Sequence, residues 1–355
     1  MKKPGKIKKP ELLVLFTGGT IGMGRGSKLE ALSPARLRDQ FRSRVPELGE
    51  IADWDVEIVL NRDSAHVGPT EWRLIAEATT RRRADGIVVL HGTDTMAYTA
   101  AALSFLLGAR GGLRCPVVLT GSMRPLGELR TDAHRNLISA AEVAARAPKD
   151  SIATRSVTVF FDRQLYLGTR VRKRSATEFD AFESPSHPAV GSVGAGIDWV
   201  RGRPASGARA PIGRDGPFES GIAVWTVAPG FPSEQFRRSL RGEVGWRGVI
   251  LRTFPSGTAP THDPEFLALL EDLVDLGIPC VAVRESAGGR IQSLSRYEAA
   301  VALTDRGVID AGELTFEAAW VKMGFALAGT RGVAEFRRRF QAVWTDEATR
   351  VGLTK

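Results

Sequence analysis

Two stretches of the chain, Phe16–Met23 (FTGGTIGM) and Leu90–Phe105 (LHGTDTMAYTAAALSF), decide its fold. Each follows a short apolar run, LLVLF at 12–16 in the first case and GIVVL at 86–90 in the second. Runs that are apolar at nearly every position are typical of parallel strands covered on both faces. Because glycine, threonine and, in the second stretch, aspartate come next, each stretch predicts a buried strand that ends in a loop.

The same alternation continues along the chain. Five more apolar runs read as strands: PVVL at 116–119, VTVFF at 157–161, IAVWTV at 222–227, GVIL at 248–251 and PCVAV at 279–283. Apolar residues recur at helical spacing at 70–82, 96–107 and 131–145. Strands that alternate with helices predict an α/β fold with a doubly wound parallel sheet.

A change in composition divides the chain. Residues 201–217 (RGRPASGARAPIGRDGP) are rich in Gly, Pro and Arg and show no periodicity, which is typical of a linker. We therefore predict an N-terminal domain over 1–200 and a smaller α/β domain over 218–355, and 355 residues are enough for both. Within the second domain, Thr315 is a predicted helix N-cap and a terminal helix follows Gly329.

Composition excludes several classes of protein. The net charge is +9, and five of these charges belong to an N-terminal lysine tail, which leaves little basic surface for a nucleic-acid partner. The apolar run after that tail is about five residues long, too short for a signal peptide, and no segment approaches the ~20 residues of a membrane span. We expect a cytoplasmic protein with no membrane association. Cys115 and Cys280 adjoin prolines at the heads of apolar runs and are predicted to be buried, reduced thiols.

The ends of the first strands carry the candidate chemistry. In open α/β sheets the ligand crevice lies beyond the carboxyl ends of the strands. Thr20, Thr93 and Asp94 follow two such ends, and a threonine hydroxyl becomes a nucleophile when a base activates it. Lys173, within the run RVRKR at 170–174, is a candidate base because neighbouring cations depress a lysine pKa. Each threonine is equally consistent with a helix-capping turn, and the run with a solvated basic loop.

Other chemistries lack their motifs. TGGTIG has neither the GxGxxG spacing of a dinucleotide site nor the GK[ST] ending of a phosphate loop. No GxSxG elbow is present, so a serine hydrolase is not supported. The five histidines are scattered without HExxH or paired Cys/His spacing, and we predict no metal site. An acyl-transfer hydrolase is the leading class.

These motifs carry a family resemblance. TGGTIGM at 17–23, LHGTDTMAYTAAALSF at 90–105, TGSMRP at 120–125 and DAFESP at 180–185 resemble the bacterial type I asparaginases of the asparaginase/glutaminase family. The resemblance extends from Leu12 to about Gly329. It implies a flavodoxin-like N-terminal domain with the active site, a smaller C-terminal α/β domain, and a homodimer or homotetramer. It also implies hydrolysis of L-asparagine, a small-molecule amide, to L-aspartate and ammonia without metal or cofactor.

The resemblance also assigns roles. Thr20 matches the family's nucleophile, and Thr93, Asp94 and Lys173 match the set that transfers protons. Asp94 is implied to hold the substrate α-ammonium as well. Three further residues are implied to bind the substrate: Asp63, Ser64 and Ser122.

The chain departs from the family in its flap. The family places a tyrosine on a mobile loop after the first threonine, whereas Gly24–Ser33 (GRGSKLEALS) has none. Ser286 stands where some members have a regulatory cysteine. Three functions stay open: an L-asparaginase with an altered flap, an amidase of the same mechanism on glutamine, peptide-linked asparagine or a biosynthetic intermediate, and a non-catalytic amino-acid-binding protein.

Overall fold

A computed structural model describes residues 8–23, 33–109, 113–202, 212, 216–240, 245–285 and 298–347. The chain divides into two compact units, hereafter unit 1 (Met1–Ser184 with Pro188–Pro204) and unit 2 (Pro185–His187 with Ala205–Lys355). Most of the predicted linker lies outside the described residues. The domain boundaries therefore stay a prediction.

Unit 1 contains ten strands and five helices among its described residues. In chain order they are β1 Glu11–Gly18, α1 Pro34–Arg44, α2 Leu48–Ile51, β2 Asp53–Arg62, α3 Pro69–Arg81, β3 Gly86–Leu90, α4 Met96–Ala109, β4 Val117–Thr120, α5 Ala133–Arg146, β5 Val157–Phe161, β6 Gln164–Leu167, β7 Arg172–Lys173, β8 Phe182–Glu183, β9 Gly191–Val193 and β10 Ile197–Trp199. Short 3₁₀ turns occur at Thr20–Gly22, Ser64–His66 and Ile152–Thr154.

The main sheet of unit 1 has the order β10-β9-β6-β5-β4-β3-β1-β2. Strands β2, β1, β3, β4 and β5 are parallel to one another, and 2-1-3-4-5 is the flavodoxin-like order. This confirms the predicted fold class. The antiparallel extension through β6, β9 and β10 was not predicted from the sequence.

Helices cover both faces of this sheet because its strands are apolar on both. Leu12, Val14 and Phe16 belong to a core cluster that also includes residues of α1, α2 and α5. Leu13 and Leu15 are equally buried and point to the opposite face, since successive strand residues alternate. Helices α3 and α4 are joined by a hydrogen bond of 3.1 Å from Trp72 Nε1 to Thr99 Oγ1.

Unit 2 is a smaller α/β unit. Its described elements are β11 Ile222–Thr226, α6 Ser233–Leu240, β12 Gly248–Thr253, α7 Pro264–Asp275, β13 Cys280–Arg284, α8 Glu298–Asp305, β14 Ile309–Asp310, α9 Phe316–Leu327 and α10 Val333–Gln341. The strands are parallel in the order β11-β12-β13-β14. Thr315 caps α9 as predicted, because its side chain accepts a hydrogen bond from Ala318 N at 3.2 Å. The predicted terminal helix is α10.

A buried ion pair joins α9 to the segment that follows α10 in unit 2. Lys322 of α9 is 3% exposed and donates to Glu347 Oε1 at 2.9 Å and to Ala342 O at 2.8 Å. Its ammonium lies 5.4 Å from the ring centre of Phe340 and 5.1 Å from that of Trp344. Burial lowers the pKa of Lys322, while the Glu347 carboxylate opposes that change. The segment after α10 is thereby attached to α9.

Both cysteines are buried and free. Burial raises the pKa of the Cys115 thiol to about 11 and that of Cys280 to about 12. Thiolates of such high pKa are scarce at neutral pH, so these side chains behave as small apolar residues. Within the described ranges, no helix has the length and apolar character needed to cross a membrane.

Candidate active site

The candidate site lies at the point where the strand order reverses. β1 and β3 are neighbours, but the chain leaves β1 toward β2 on one side and β3 toward β4 on the other. Loops that leave such a pair of strands diverge and open a crevice at their carboxyl ends. Thr17 Oγ1 ties the two strand ends together through a hydrogen bond of 2.8 Å to Leu90 O.

Close to the strand ends, before the two loops diverge, their backbones touch at Gly19 and Gly92. Gly19 has φ +86°, and a Cβ there would lie 2.5 Å from both Cα and N of Gly92. Only glycine permits this approach. Thr20 follows Gly19 and is half-buried, and Thr93 follows Gly92 and is 9% exposed. The structure therefore brings the turns of the two candidate threonines into contact.

Lys173 connects Thr93 with Asp94. Its ammonium nitrogen donates to Thr93 Oγ1 at 2.8 Å and to Asp94 Oδ1 at 2.7 Å. The Lys173 side chain is 16% exposed, whereas that of Asp94 is 70% exposed. One half-buried cation thus holds a hydroxyl and leaves most of a carboxylate open to solvent. Lys173 belongs to β7, so the solvated-loop interpretation of its surroundings is wrong for this residue.

The loop after β2 joins the same cluster. A Cβ on Gly92 would lie 2.7 Å from Ser64 Oγ, and Thr95 Oγ1 donates to Ser64 O at 2.7 Å. Ser64 is 3% exposed. Asp63 is exposed, and its Oδ1 accepts from Ala65 N at 2.8 Å, which caps the 3₁₀ turn. Ser64 thus belongs to the cluster, whereas the bond that Asp63 makes is local.

The loop after β4 is the fourth to converge. A Cβ on Gly121 would lie 2.3 Å from His91 O, which places Ser122 beside the end of β3. The two amide groups after Ser122 donate to the Asp132 carboxylate at 2.9 and 3.0 Å, and Asn136 Nδ2 donates to Gly121 O at 3.0 Å. Ser122 Oγ is buried and has no hydrogen-bond partner within the described part of the chain.

His91 holds the loop that carries Gly92 and Thr93 through a network of hydrogen bonds. Its Nδ1 lies 2.7 Å from Gly92 O, and because a carbonyl only accepts, Nδ1 carries the proton. Nε2 then accepts from Thr99 Oγ1 at 3.0 Å, and that oxygen accepts in turn from Trp72 Nε1. Burial lowers the pKa of His91 to about 4. The imidazole is therefore neutral at physiological pH and is fixed in one tautomer.

Sequence reasoning missed His91, because it considered the histidines only as zinc ligands. Its position directly before Gly92-Thr93-Asp94, at the end of a fully buried strand, was an available signal. Among the described residues, no group of three or more His, Cys, Asp and Glu side chains could hold a metal ion. Flap residues 24–32 and Ser286 lie outside the described residues.

Comparison with known proteins identifies the family of the chain. Residues 11–204 match the family model described as "Asparaginase, N-terminal", and residues 221–340 match "Glutaminase/Asparaginase C-terminal domain". The chain belongs to the asparaginase family. It is an L-asparaginase-like amidohydrolase, as the resemblance implied.

Individual relatives cover nearly the whole chain. It is 36% identical to L-asparaginase 1 of Escherichia coli K12 over 327 residues, which is 91% of this chain and 93% of that protein. The solved thermostable L-asparaginase from Thermococcus kodakarensis superposes with a TM-score of 0.80 at 31% identity, covering 96% of this chain and 99% of that one. A glutamyl-tRNA(Gln) amidotransferase component from the same organism is 30% identical, over 98% of this chain and 78% of that protein.

Proposed function

We propose that this asparaginase-family chain hydrolyses L-asparagine to L-aspartate and ammonia through a Thr20 acyl-enzyme. The observation that carries the proposal is the Lys173 ammonium, bonded to Thr93 Oγ1 and Asp94 Oδ1 beside the turn that holds Thr20. A threonine nucleophile needs a nearby group that moves protons, and this set supplies one.

The reaction has two halves. Thr20 Oγ1 attacks the side-chain amide carbon, its proton passes to the amide nitrogen, the C–N bond breaks and ammonia leaves. The carbon remains bound to Thr20 as an ester. Water then adds to that carbon, gives one proton back to Thr20 Oγ1, and L-aspartate departs. The Thr93–Lys173 pair is assigned the proton transfers, because its hydroxyl and amine already share a hydrogen bond.

The remaining polar groups suit an amino-acid head group. The Asp94 carboxylate, with 70% of its side chain exposed, is the anionic partner for the α-ammonium. Ser64, with Asp63 beside it, is assigned to the same head group. Ser122 offers a buried hydroxyl without a partner in the described chain, and such a group is costly unless a ligand satisfies it. These assignments suit a zwitterion with a short amide side chain.

A second amide substrate is the main competing proposal. The match to the glutamyl-tRNA(Gln) amidotransferase component favours it, since that relative's name describes transfer chemistry on another substrate. Glutamine, peptide-linked asparagine and a biosynthetic intermediate are the candidates. The non-catalytic amino-acid-binding alternative is set aside, because the chain belongs to an amidohydrolase family and binding alone would not require the Thr93–Asp94–Lys173 set.

Location and assembly complete the proposal. We place the protein in the cytoplasm as a homodimer or homotetramer that acts on a small-molecule amide without metal, cofactor, nucleic-acid or membrane partners. Light scattering coupled to size-exclusion chromatography measures the assembly directly. A monomer at micromolar concentration would contradict it.

Ammonia release from a panel of amides tests the function. The purified protein should release ammonia from L-asparagine with a higher kcat/KM than from glutamine or an asparaginyl peptide, and Thr20→Ala should abolish release. Faster turnover of another amide would show that L-asparagine is not the preferred substrate, and the proposed mechanism would still apply. A parent protein that binds asparagine yet releases no ammonia from any amide would contradict the proposed function.

A further inference from the structure

The strand that carries Lys173 is half of a small ribbon. β7 and β8 pair antiparallel, with Arg172 opposite Glu183 and Lys173 opposite Phe182. Because successive residues point to opposite faces, Lys173 and Phe182 share the inner face. Phe182 is 3% exposed, and its ring centre lies 4.8 Å from that of Phe161. The outer face carries Arg172 and Glu183.

Both arginines beside Lys173 are paired across this ribbon. Arg172 Nε and Nη2 each lie 2.7 Å from Glu183 Oε1. Arg174 donates through Nε to Asp180 O at 2.9 Å and forms an ion pair with the Asp180 carboxylate. Of three consecutive cations, two are therefore held by nearby carboxylates, Glu183 on β8 and Asp180 just before β8. Lys173 is directed to Thr93 and Asp94 instead.

Such a ribbon needs its side-chain pairs. Each strand has only two residues, and short two-stranded ladders are marginal in water. A lysine side chain is long and flexible, so its nitrogen is not fixed by its own rotamer and reaches Thr93 and Asp94 only while the backbone of β7 stays within range of them. Tyr166 adds a hydrogen bond of 3.2 Å from its hydroxyl to Phe182 O. The outer Arg172–Glu183 ion pair is a further contact that joins the two strands directly.

We propose that the Arg172–Glu183 ion pair positions the Lys173 ammonium against Thr93 and Asp94. Arg172 and Glu183 are paired with each other on the outer face of the ribbon, opposite the face of Lys173, and are positioning residues. The inference rests on the proposed function of Lys173 in proton transfer. It assigns the basic run a specific task, which is to fix the direction of its central lysine.

Charge exchange between the two partners is the decisive experiment. Glu183→Gln keeps the shape of the side chain and removes its charge. It should lower kcat for asparagine about fivefold and change KM by less than about twofold. A fivefold effect on kcat is of the size expected for the loss of one exposed ion pair. Arg172→Glu should act likewise. The double variant Arg172→Glu/Glu183→Arg restores a pair of opposite charges and should recover most of kcat. Glu57→Gln is the matched control, since it breaks a 2.8 Å pair with Arg81 elsewhere in unit 1.

A second readout does not depend on activity. Acetylation of Lys173 by an amine-reactive ester, followed by mass spectrometry, should accelerate about fivefold in Glu183→Gln and return toward the parent rate in the double variant. Exposed Lys149 serves as the internal reference. Unchanged kcat and labelling in folded Glu183→Gln, or no recovery in the double variant, would overturn the proposal. If the parent releases no ammonia, the proposed function fails, and the labelling alone decides whether the pair positions Lys173.

Discussion

His91 predicts that unit 1 loses stability in mild acid. The folded protein binds a proton at this imidazole only near pH 4, because burial lowers the pKa from the ordinary 6.5 to about 4. The unfolded chain binds one near pH 6.5. The stabilising contribution is therefore complete above pH 6.5, declines as the pH falls through the interval between the two values, and is lost below pH 4.

The magnitude follows from that interval. At ~1.36 kcal/mol per pH unit, a separation of about 2.5 units amounts to about 3 kcal/mol of unfolding free energy. That is a large part of the ~5–15 kcal/mol by which proteins are stable. Carboxylates titrate in the same range, so the parent must be compared with His91→Gln, in which the amide oxygen can still accept from Thr99.

Hydrogen exchange at the β3 amides measures the stability of unit 1 separately from that of unit 2. The free energy of opening is measured by mass spectrometry at several pH values from 7 to 4.5 in the parent and in His91→Gln. His91→Gln is expected to be less stable at pH 7, because the bond to Gly92 O is lost, but its stability should fall less steeply with acid. His262→Gln removes an exposed histidine and should keep the parent's slope. Parallel curves for the parent and His91→Gln would refute the reasoning.

Three further outcomes are expected. Thr20→Ala and Thr93→Ala should each lower kcat by several orders of magnitude. The increase in activation free energy of the double variant should be far smaller than the sum of the two single increases. Additive increases would show that the two threonines act separately. Gly19→Ala should lower kcat/KM by about 10²-fold, since its Cβ displaces the turn that holds Thr20, and a variant with normal turnover would contradict the contact. Lys322→Met should destabilise unit 2 by about 3–5 kcal/mol in urea unfolding, because Glu347 keeps a buried charge without its cation. The double variant Lys322→Met/Glu347→Gln should recover part of that loss.

The parallel strands were predictable because their signal is local. Val88 and its neighbours in GIVVL form a continuous apolar run, and each of the seven predicted strands is present. β2, at the sheet edge, was missed because its residues at 53–62 are mostly polar or half-exposed. β9 and β10 have three residues each, and their pairing partners are set by tertiary structure.

The candidate site was predictable in part. Thr20, Thr93 and Asp94 follow recognisable strand ends, so their convergence follows from the topology. The direction of Lys173 could not be read from RVRKR, because the ribbon that carries it is completed by β8, a separate strand that supplies Glu183. The role of His91 depends on Thr99 and Trp72, which lie on two different helices. Such networks leave no periodic pattern in the sequence.

The contact between Gly19 and Gly92 also has a meaning for enzyme engineering. The spacing of the two threonine turns is fixed by main-chain atoms that lack any side chain to vary. Libraries that randomise pocket side chains can change which amide enters the crevice and how tightly it is held. They leave the separation of the two hydroxyl-bearing loops unchanged, so selectivity can be redesigned without rebuilding the chemistry.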